Sequence, residues 1–283
     1  MPAMPPASVS HGMHLECRNI CFGYEYGGTR VPALRDVSFS VPAGSSLALL
    51  GASGSGKSTL LQVLRGLDVP DAGQVVLDGV RPGERAYGEA QRDVGIVFQM
   101  AEVQLFAATA REDVAFGPRQ LGWSDVEVNS ATEDAFASVG LSEKEYGWRH
   151  PYSLSGGEAR RLALAGVLAM RPRAILLDEP FVSLDPSGRR DLVEILERLR
   201  VSGVTLVLVT HDLDLAWQLC DMRVLLDEGA VIAAGGWDFC GDDARILAAN
   251  RLREPLLVEL WRRLGLPPQD APRSVAEAAQ ALL

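Results

Sequence analysis

The stretch GASGSGKSTL, residues 51–60, constrains the fold of this chain more than any other segment. It follows a short apolar run, SLALL, that has the length of a buried strand, and it precedes leucines at helical spacing. Gly51 and Gly56 bound the turn, and Lys57 and Ser58 come directly after it. This is the phosphate-binding pattern G-x-x-x-x-G-K-[ST], in the strand–loop–helix context that its mechanism requires. The segment therefore predicts a nucleotide phosphate site in an α/β fold.

The residue types of this loop suit the phosphates of a nucleotide. Glycines let backbone N–H groups turn inward, and the positive end of the following helix attracts an anion. Lys57 reaches the outer phosphates, and Ser58 can ligate Mg²⁺. Lys57 and Lys144 are the only lysines in a chain with many arginines, which indicates a specific need for a compact charge at position 57. The predicted nucleotide contacts in the loop are Gly51, Ser53, Gly54, Ser55, Gly56, Lys57, Ser58 and Thr59.

Strand and helix patterns alternate through most of the chain. AILL at residues 174–177 and VTLVLV at 204–209 are typical of buried strands, and helical patterns follow them at 188–199 and 213–219. Such alternation indicates a parallel sheet with helices on both faces. The predicted class is therefore α/β, a P-loop NTPase.

Other segments depart from this alternation. VSFSV, residues 37–41, alternates apolar and polar side chains as a half-exposed strand does. QVVLDGV at 74–80 and RVLLDEGAVIAAG at 223–235 have a strand–turn–strand pattern. Together these segments predict an additional antiparallel sheet. Residues 101–173 are mostly helical in pattern, with a capping box at Ser124, and predict a helical subdomain inserted into the core.

The two ends of the chain differ from this middle part. Residues 1–13 have no apolar run and no basic start, so we expect a disordered leader rather than a signal peptide. The main domain is predicted at 14–235, and a helical C-terminal extension at 236–283. One apolar stripe in that extension consists of Leu256, Leu257, Leu260, Trp261 and Leu264.

Composition limits the class of partner. The formal net charge of −10 argues against a nucleic-acid binder, which normally has a basic face. No stretch approaches the ~18 uninterrupted apolar residues of a membrane-spanning helix. The four cysteines have no partner set at zinc-like spacing, which indicates buried or incidental thiols in a reducing compartment.

A second acidic element narrows the chemistry. AILLDEP ends an apolar strand with Asp178 and Glu179. An aspartate in this position holds Mg²⁺ in P-loop proteins, and the next carboxylate can polarise an attacking water. The alternative is a solvated turn, because Asp and Pro are common turn residues. No guanine-selective N-K-x-D string is present, so the sequence disfavours a GTPase.

The stretch LSGGEARR, residues 154–161, identifies a family. Ser155, Gly156 and Gly157 open a second helix whose N-terminus suits an anion, although alone it would be an ordinary capped helix start. Together with the P-loop, it makes the chain resemble the ATP-binding cassette ATPases, whose signature is LSGG. The resemblance covers about residues 14–235. The other family motifs contain Tyr24 in CFGYEYGG, Gln99 in GIVFQ, Asp185 in SLDP and His211 in VTHDLD.

The resemblance implies a RecA-like parallel core with an antiparallel β subdomain, an inserted helical signature subdomain and a helical extension. It implies ATP and Mg²⁺ as ligands and ATP hydrolysis as the activity. Tyr24 would stack on adenine, Glu179 would be the general base and His211 would contact the γ-phosphate. Gln99 would touch Mg²⁺ or the attacking water. The implied metal contacts are Ser58, Gln99 and Asp178.

In that family two subunits meet head to tail, and the signature of one closes over the nucleotide of the other. Ser155, Gly156 and Gly157 would therefore serve the partner's ATP, and Asp185 would communicate across the dimer. The second ATPase subunit is either another copy or a sister chain, and the sequence leaves both open.

Several assignments have a structural alternative. Tyr24 would instead be a core residue on a strand face, with Tyr26 as a rival stacking residue. Gln99 would be a polar strand end, and His211 would be the neighbour of a helix N-cap.

The signature itself departs from the common family pattern. Glu158 stands where most members have glutamine, and Ala159 stands where many have a basic residue. This leaves Arg160 and Arg161 as the expected basic contacts of the signature.

Two segments indicate a subgroup. QLFAATAREDVAFGP at 104–118 and EPLLVELWRRLGLPP at 254–268 resemble the ATPases of energy-coupling factor and cobalt/nickel importers. Those relatives often have Asn-Pro after the Q-loop glutamine, where this chain has Met100-Ala101. The tail helps to hold dimers together in that subgroup, and the alternative is that it packs on its own core.

The subgroup implies a peripheral protein on the cytoplasmic face of the cell membrane. Its partners would be a membrane-embedded coupling protein and a substrate-binding membrane subunit, and its cargo a vitamin or a metal ion. Leu105 and Phe106 would anchor the docking groove near residues 99–106, or alternatively belong to the core. The other functions considered are a conventional binding-protein-dependent importer and a non-transport ATPase. The span from Lys57 to Ser155 is too short for the coiled-coil insertion of repair ATPases.

Overall fold

The computed structural model describes residues 12–237 and 252–283. The strands are β1 (Leu15–Tyr26), β2 (Thr29–Val41), β3 (Ser46–Leu50), β4 (Ala72–Leu77), β5 (Val94–Val97), β6 (Ala174–Asp178), β7 (Thr205–Val209), β8 (Met222–Asp227) and β9 (Ala230–Gly236). The helices are α1 (Lys57–Arg65), α2 (Tyr87–Arg92), α3 (Ala110–Gln120), α4 (Asp125–Ser138), α5 (Glu143–Tyr146), α6 (Gly156–Leu168), α7 (Pro186–Val201), α8 (Leu213–Leu219), α9 (Leu256–Arg263) and α10 (Val275–Ala281). Almost all of the predicted leader lies outside the described residues.

The central element is a six-stranded sheet in the order β5-β6-β7-β3-β8-β9. The first five strands are parallel, and β9 pairs antiparallel with β8 at the edge. Every residue of β3, β6 and β7 is buried, as expected for parallel strands that carry helices on both faces. Because the strands are parallel, their carboxyl ends meet at one edge of the sheet.

A separate three-stranded antiparallel sheet has the order β2-β1-β4, so the predicted additional sheet is confirmed. Two of the segments assigned to it behave differently. The hairpin at 223–235 forms β8 and β9 but belongs to the large sheet, because β8 pairs in parallel with β3. In 74–80 only the first strand forms, and Val80 makes a single bridge to Leu77. Local sequence predicts a hairpin but cannot show which distant strand will pair with it.

The alternation of side chains along β3 divides the core into two layers. Leu47 and Leu49 face the antiparallel sheet and the buried leucines of α1. Ala48 and Leu50 face the opposite layer, which contains buried residues of α6, α7 and α8. The loop at residues 51–57 therefore leaves a strand that is anchored on both faces.

The segment between β5 and β6 is helical, as predicted. Helices α3, α4 and α6 each start with a capping box, formed by Thr109 with Glu112, Ser124 with Glu127, and Ser155 with Glu158. In each box the cap side chain and the third helical residue satisfy each other's backbone N–H groups. The segment brings α6 against the core with its N-terminus exposed.

The C-terminal residues pack on α8 and the adjoining core. Trp217 donates from Nε1 to the Pro272 carbonyl at 2.8 Å, and the Arg273 guanidinium lies 3.7 Å from the centre of the Trp217 ring. Only part of the predicted apolar stripe of α9 is buried. Trp261 is buried, together with Val258, whereas most of the leucines are accessible. The exposed members are Leu256, Leu260 and Leu264. Part of the stripe therefore packs on its own chain.

Candidate nucleotide-binding site

Four predicted site segments meet at the carboxyl edge of the large sheet. The phosphate loop follows β3, and Asp178 with Glu179 ends β6. His211 follows β7, and Gln99 follows β5. The strand order places these four ends side by side, with Glu179 and His211 on adjacent strands. This edge is where ligands bind in open parallel α/β sheets.

Glycines in the loop are required by the backbone geometry. Gly51 has a φ of 146° and Gly56 a φ of 102°, in the left-handed half of conformational space. A Cβ atom at Gly51 would lie 2.2 Å from the Leu226 carbonyl oxygen, and one at Gly56 would lie 2.7 Å from that of Ala33. The loop can therefore adopt this path only with glycine at both positions.

Lys57 lies across the mouth of the loop. Its Nζ donates to the carbonyls of Gly51 at 2.9 Å and of Ala52 at 2.8 Å. Burial lowers the pKa of Lys57, and the charges of Glu179 and Asp178 partly counteract this. Ser53, Gly54 and Ser58 are exposed, whereas Ser55 and Thr59 are buried. The loop thus combines a half-buried cation with exposed polar residues.

The Asp178 side chain has an unused acceptor. Its carboxylate accepts a hydrogen bond from Ser58, and Oδ1 is buried without a hydrogen-bond partner among the described residues. Burial raises the pKa of Asp178, while the Ser58 bond and the charge of Lys57 oppose that rise. A buried carboxylate oxygen beside a serine hydroxyl is the kind of donor set that Mg²⁺ takes. The residues present therefore fit the predicted metal.

Glu179 and His211 form a contact pair next to this carboxylate. His211 Nδ1 lies 3.0 Å from Glu179 Oε2. The Glu179 side chain is 14 % exposed, whereas that of His211 is 69 % exposed. Glu179 has a φ of 45°, an unusual conformation for a residue other than glycine. Such strain is often found at functional sites, where the surrounding structure has to maintain it.

The Tyr24 side chain is hydrogen-bonded to α1, the helix that follows the loop. Its hydroxyl lies 3.0 Å from Thr59 Oγ1 and donates to Gln62 Oε1 at 3.3 Å. Its ring packs edge-on against Phe22 with centroids 5.0 Å apart, and the residue remains 45 % exposed. Tyr24 is therefore not a core residue, and its ring has a free surface beside the loop. Tyr26, the rival, is 82 % exposed.

Gln99 is exposed, and hydrogen bonds hold its carbonyl and the N–H of the preceding residue, Phe98. Gln104 accepts a hydrogen bond from the N–H of Phe98 at 3.0 Å, and Arg160 donates to the Gln99 carbonyl at 3.0 Å. The sequence did not predict these contacts of Gln104 and Arg160. The first is made within an irregular loop, and the second joins segments that are distant in the sequence. Gln99 lies one strand beyond the Glu179–His211 pair.

The signature residues are not brought to the phosphate loop of their own chain. Ser155 caps α6 and bonds to Glu158, with Ser155 Oγ 2.8 Å from Glu158 Oε2. Asp185 caps α7 by accepting from the Gly188 N–H at 2.7 Å. Gly156 and Gly157 begin α6. Among the described residues, no hydrogen bond joins these side chains to residues 51–59.

The side chains of Arg160 and Arg161, the expected basic contacts of the signature, have partners within their own chain. Arg160 is 6 % exposed and donates to carbonyls of its own chain, at Pro180, Val182 and Gln99. Arg161 pairs with Asp191 of α7 at 2.8 Å. Arg160 is on the buried side of α6, whereas Arg161 is half-buried and contacts α7.

An apolar groove lies on the helical segment, and Gln104 is among its lining residues. It has a volume of about 340 Å³ and lies between the loop at Leu105 and Phe106, helix α3 and helix α6. Phe106 is 64 % exposed and meets Phe116 edge-on with centroids 4.8 Å apart, whereas Leu105 is buried. Leu105 and Phe106 were expected to be either docking anchors or core residues. Leu105 belongs to the core, whereas Phe106 does not.

The parallel core, the glycine loop with its lysine and the acidic strand end define a P-loop nucleotide hydrolase. A protein-family model described as ABC transporter matches residues 34–182. The chain belongs to this ATP-binding cassette family. The model covers the phosphate loop, the signature and the acidic strand end together.

Two curated relatives indicate the subgroup. The chain is 45% identical over 232 residues to the cobalt import ATP-binding protein CbiO of Rhodobacter capsulatus, covering 81% of this chain and 82% of that protein. It is 38% identical over 269 residues to the energy-coupling factor transporter ATP-binding protein EcfA2 of Methanospirillum hungatei, covering 93% of this chain. The match spans 66% of that relative's length. The predicted ATP-hydrolysing subunit of the energy-coupling factor type is confirmed.

Solved structures agree with this placement. CbiO1 from Clostridium perfringens, described as part of the transporter complex CbiONQ, has a TM-score of 0.71 at 29% identity, covering 89% of this chain and 95% of that one. A dimeric ATP-binding cassette in a post-hydrolysis state with ADP and Pi has a TM-score of 0.70 at 29% identity, covering 78% and 98%. The predicted fold class and ATPase activity are therefore confirmed. Within the described ranges, no helix is both long and apolar enough to cross a bilayer.

Proposed function

We propose that this chain hydrolyses MgATP at a site completed by a second ATPase subunit, and thereby drives import through a membrane complex. The observation that carries the proposal is the cluster at the sheet edge, where Glu179 contacts His211 beside the unpaired oxygen of Asp178. A strand-end aspartate next to a phosphate loop is a metal position in P-loop proteins. A second carboxylate held by an exposed histidine has the place of a general base.

The phosphate loop holds the nucleotide in this proposal. Backbone N–H groups from Gly51 to Thr59, together with the hydroxyls of Ser53 and Ser55, surround the phosphates. Lys57 exchanges its two carbonyl partners for phosphate oxygens, which are stronger acceptors because they carry charge. Tyr24, fixed at its hydroxyl end to Thr59, offers its exposed ring face to the adenine.

Asp178, Ser58 and Gln99 hold the metal side of the site. The unpaired Oδ1 of Asp178 gains a partner, which removes the cost of a buried acceptor without a hydrogen bond. Mg²⁺ held by these residues would supply positive charge against the negative charge that develops on the phosphate. The same charge keeps Asp178 ionised and so opposes the effect of burial on its pKa.

Glu179 performs the proton transfer. It takes a proton from water as the water oxygen bonds to the terminal phosphorus and the bond to the ADP oxygen breaks. His211 orients the Glu179 carboxylate through the 3.0 Å contact and, being exposed, can also reach the terminal phosphate. Gln99 orients the water or the metal from the neighbouring strand end.

A partner subunit supplies the remaining groups. In one chain, Ser155, Gly156 and Gly157 are capped within α6 and make no hydrogen bond to residues 51–59 among the described residues. A head-to-tail dimer would bring the partner's signature to the nucleotide, and one of the solved structures that this chain resembles is a dimeric cassette. Asp185, at the N-terminus of α7, would then lie near the interface.

The groove lined by Gln104, Leu105 and Phe106 is the proposed docking site for the membrane partners. Its apolar walls and the exposed Phe106 suit an apolar segment of a membrane-embedded coupling protein, which a substrate-binding membrane subunit accompanies. The relative named for cobalt import supports a metal ion as cargo, and a vitamin is the other cargo that the resemblance implies. The chain then acts as a peripheral protein on the cytoplasmic face. The exposed leucines of α9 are a second candidate contact with the other ATPase subunit.

Replacing Glu179 with Gln tests the chemical step. Hydrolysis should fall by about 100- to 10,000-fold, the usual contribution of a general base, while ATP binding is retained. The rate of phosphate release and the affinity for a fluorescent ATP analogue measure the two effects separately. Glu133→Gln, an exposed glutamate of α4, is the control and should hydrolyse ATP like the parent. Normal turnover by Glu179→Gln would show that another group is the base.

Co-purification from membranes tests the transport role. One coupling protein with small membrane subunits is the expected set. Two matched permeases would instead indicate a conventional importer.

A further inference from the structure

Arg160 is a buried cation that touches two site segments at once. It lies in the second turn of α6 and is 6 % exposed. Its Nη2 donates to the Gln99 carbonyl at 3.0 Å, and its Nη1 donates to the Pro180 carbonyl at 3.1 Å and to that of Val182. A guanidinium is a rigid planar fork, so its N–H groups fix the relative positions of the carbonyls that accept from them.

The segment held by Nη1 is strained on both sides. Glu179 has a φ of 45° and Ser183 a φ of 64°, and the two carbonyls bonded to Arg160 lie between them. Non-glycine residues adopt such angles only where the surrounding structure maintains them. One restraint is the bond from the Glu179 N–H to the Val209 carbonyl at 3.0 Å. Arg160 supplies the restraint on the other side of Glu179.

We propose that Arg160 is a positioning residue for ATP hydrolysis, which couples the signature helix to the backbone of Gln99 and to the turn after Glu179. The inference rests on the proposed roles of those two residues. Because one guanidinium holds both segments, a displacement of α6 moves the groups that orient the water and accept its proton. The helix that carries the signature toward the partner's nucleotide is thereby tied to the chemistry of its own site.

The experiment compares Arg160→Met with Arg223→Met. Arg223 is a matched control, because it is also 6 % exposed and also donates to a backbone carbonyl, that of Gly236. It lies on β8, outside the proposed machinery. Both variants should lower the melting temperature. Only Arg160→Met should lower kcat, by about 100-fold, the size expected when a supporting contact is lost and reacting groups are misplaced. Its KM for ATP should change by less than about threefold, because the phosphate loop is untouched.

Arg160→Lys provides the second variant in case the methionine variant does not fold. One ammonium can satisfy part of the carbonyl set but cannot hold the spacing of the fork, so kcat should lie between those of Arg160→Met and the parent. A folded Arg160 variant with kcat within about twofold of the parent overturns the proposal. An equal loss of kcat in Arg223→Met also overturns it, because the effect would then be one of stability. Failure of the base assignment is detected separately, by normal turnover in Glu179→Gln.

Discussion

Two helices of this chain begin with glycine-rich segments that suit phosphate, and their N-termini are completed differently. Helix α1 starts after Gly56 with no side-chain cap and no acidic residue in its first turn. Helix α6 starts after Ser155 with a full capping box, and Glu158 places a negative charge in its first turn. The first N-terminus leaves its N–H donors for a ligand, whereas the second satisfies some of them within the chain.

The difference indicates what each end can bind alone. At α1 the open donors lie beside Lys57 and the carboxylates Asp178 and Glu179, whose charges act on that lysine. At α6 the donors that remain belong to Gly156 and Gly157, and Glu158 opposes an anion. The α1 end is therefore a preformed nucleotide site. In the proposed dimer, the α6 end contributes where the interface brings a nucleotide that the partner's α1 end already holds.

Asp178→Asn tests the α1 end. Of the substitutions that compare the two helix ends, it should reduce ATP hydrolysis the most. Loss of the charge removes the metal position, so hydrolysis should fall by about 100- to 1000-fold. The ligand-free protein should nevertheless become more stable, because burial raises the pKa of Asp178 and so makes its ionised form unfavourable in the folded state. Phosphate release and thermal melting without nucleotide measure the two opposite effects. Asp191→Asn, at the surface pair with Arg161, should show neither.

The pH dependence of this stability difference has a defined sign. The folded pKa of Asp178 is raised above its unfolded value, so the destabilisation is greatest above the folded pKa, decreases as the pH falls through it and is absent below the unfolded pKa. The melting temperatures of the parent and Asp178→Asn should therefore converge on acidification. A gap that widens on acidification would contradict the burial of an unsatisfied carboxylate.

A mixing experiment with Ser155→Ala should distinguish the contribution of the α6 end from that of the α1 end. Alone, this variant should lose most hydrolysis, and so should Lys57→Met. In a dimer of one copy of each, the intact loop of the first faces the intact signature of the second. Random mixing should therefore restore about a quarter of the parent rate, because half of the dimers are mixed and each has one complete site.

The control for the mixing experiment is a chain that carries both substitutions. Mixed with either single variant, it should restore no ATP hydrolysis, because no dimer then contains a complete site. Ser124→Ala is the matched structural control, because Ser124 caps α4 with the same box as Ser155. Each serine change should lower the free energy of unfolding by about 1 kcal/mol, the usual value of an N-cap. Absence of rescue would exclude a self-paired dimer with shared sites.

The α1 end was predictable from the sequence, and the environment of the α6 end was only partly so. The phosphate loop, β3 and the caps at Ser124 and Ser155 depend on residues within a few positions of one another, and local patterns encode them. The inward direction of Arg160 depends on carbonyls 20 to 61 positions away. The membership of β8 in the large sheet depends on β3 in the same way. Such contacts follow from tertiary packing, which no local pattern specifies.

Glu158→Gln tests the α6 end and should have the smallest effect of these substitutions. It should improve the apparent affinity for ATP. Glutamine also completes a capping box, so α6 should keep its start while losing the negative charge. Hydrogen bonds from Ser155 lower the pKa of Glu158, so that charge is present throughout the neutral range. Without it, the KM for ATP should fall by about two- to fivefold, as expected for one partly screened charge.

Glu127→Gln is the control for this substitution, because Glu127 forms the same box on α4 and hydrogen bonds from Ser124 lower its pKa as well. It should leave the KM unchanged. The advantage of Glu158→Gln should shrink in high salt, since screening weakens an exposed charge. If both glutamine variants lowered the KM equally, net charge and not position would be the cause. The negative charge at the start of α6 would then have no bearing on a nucleotide held by the partner.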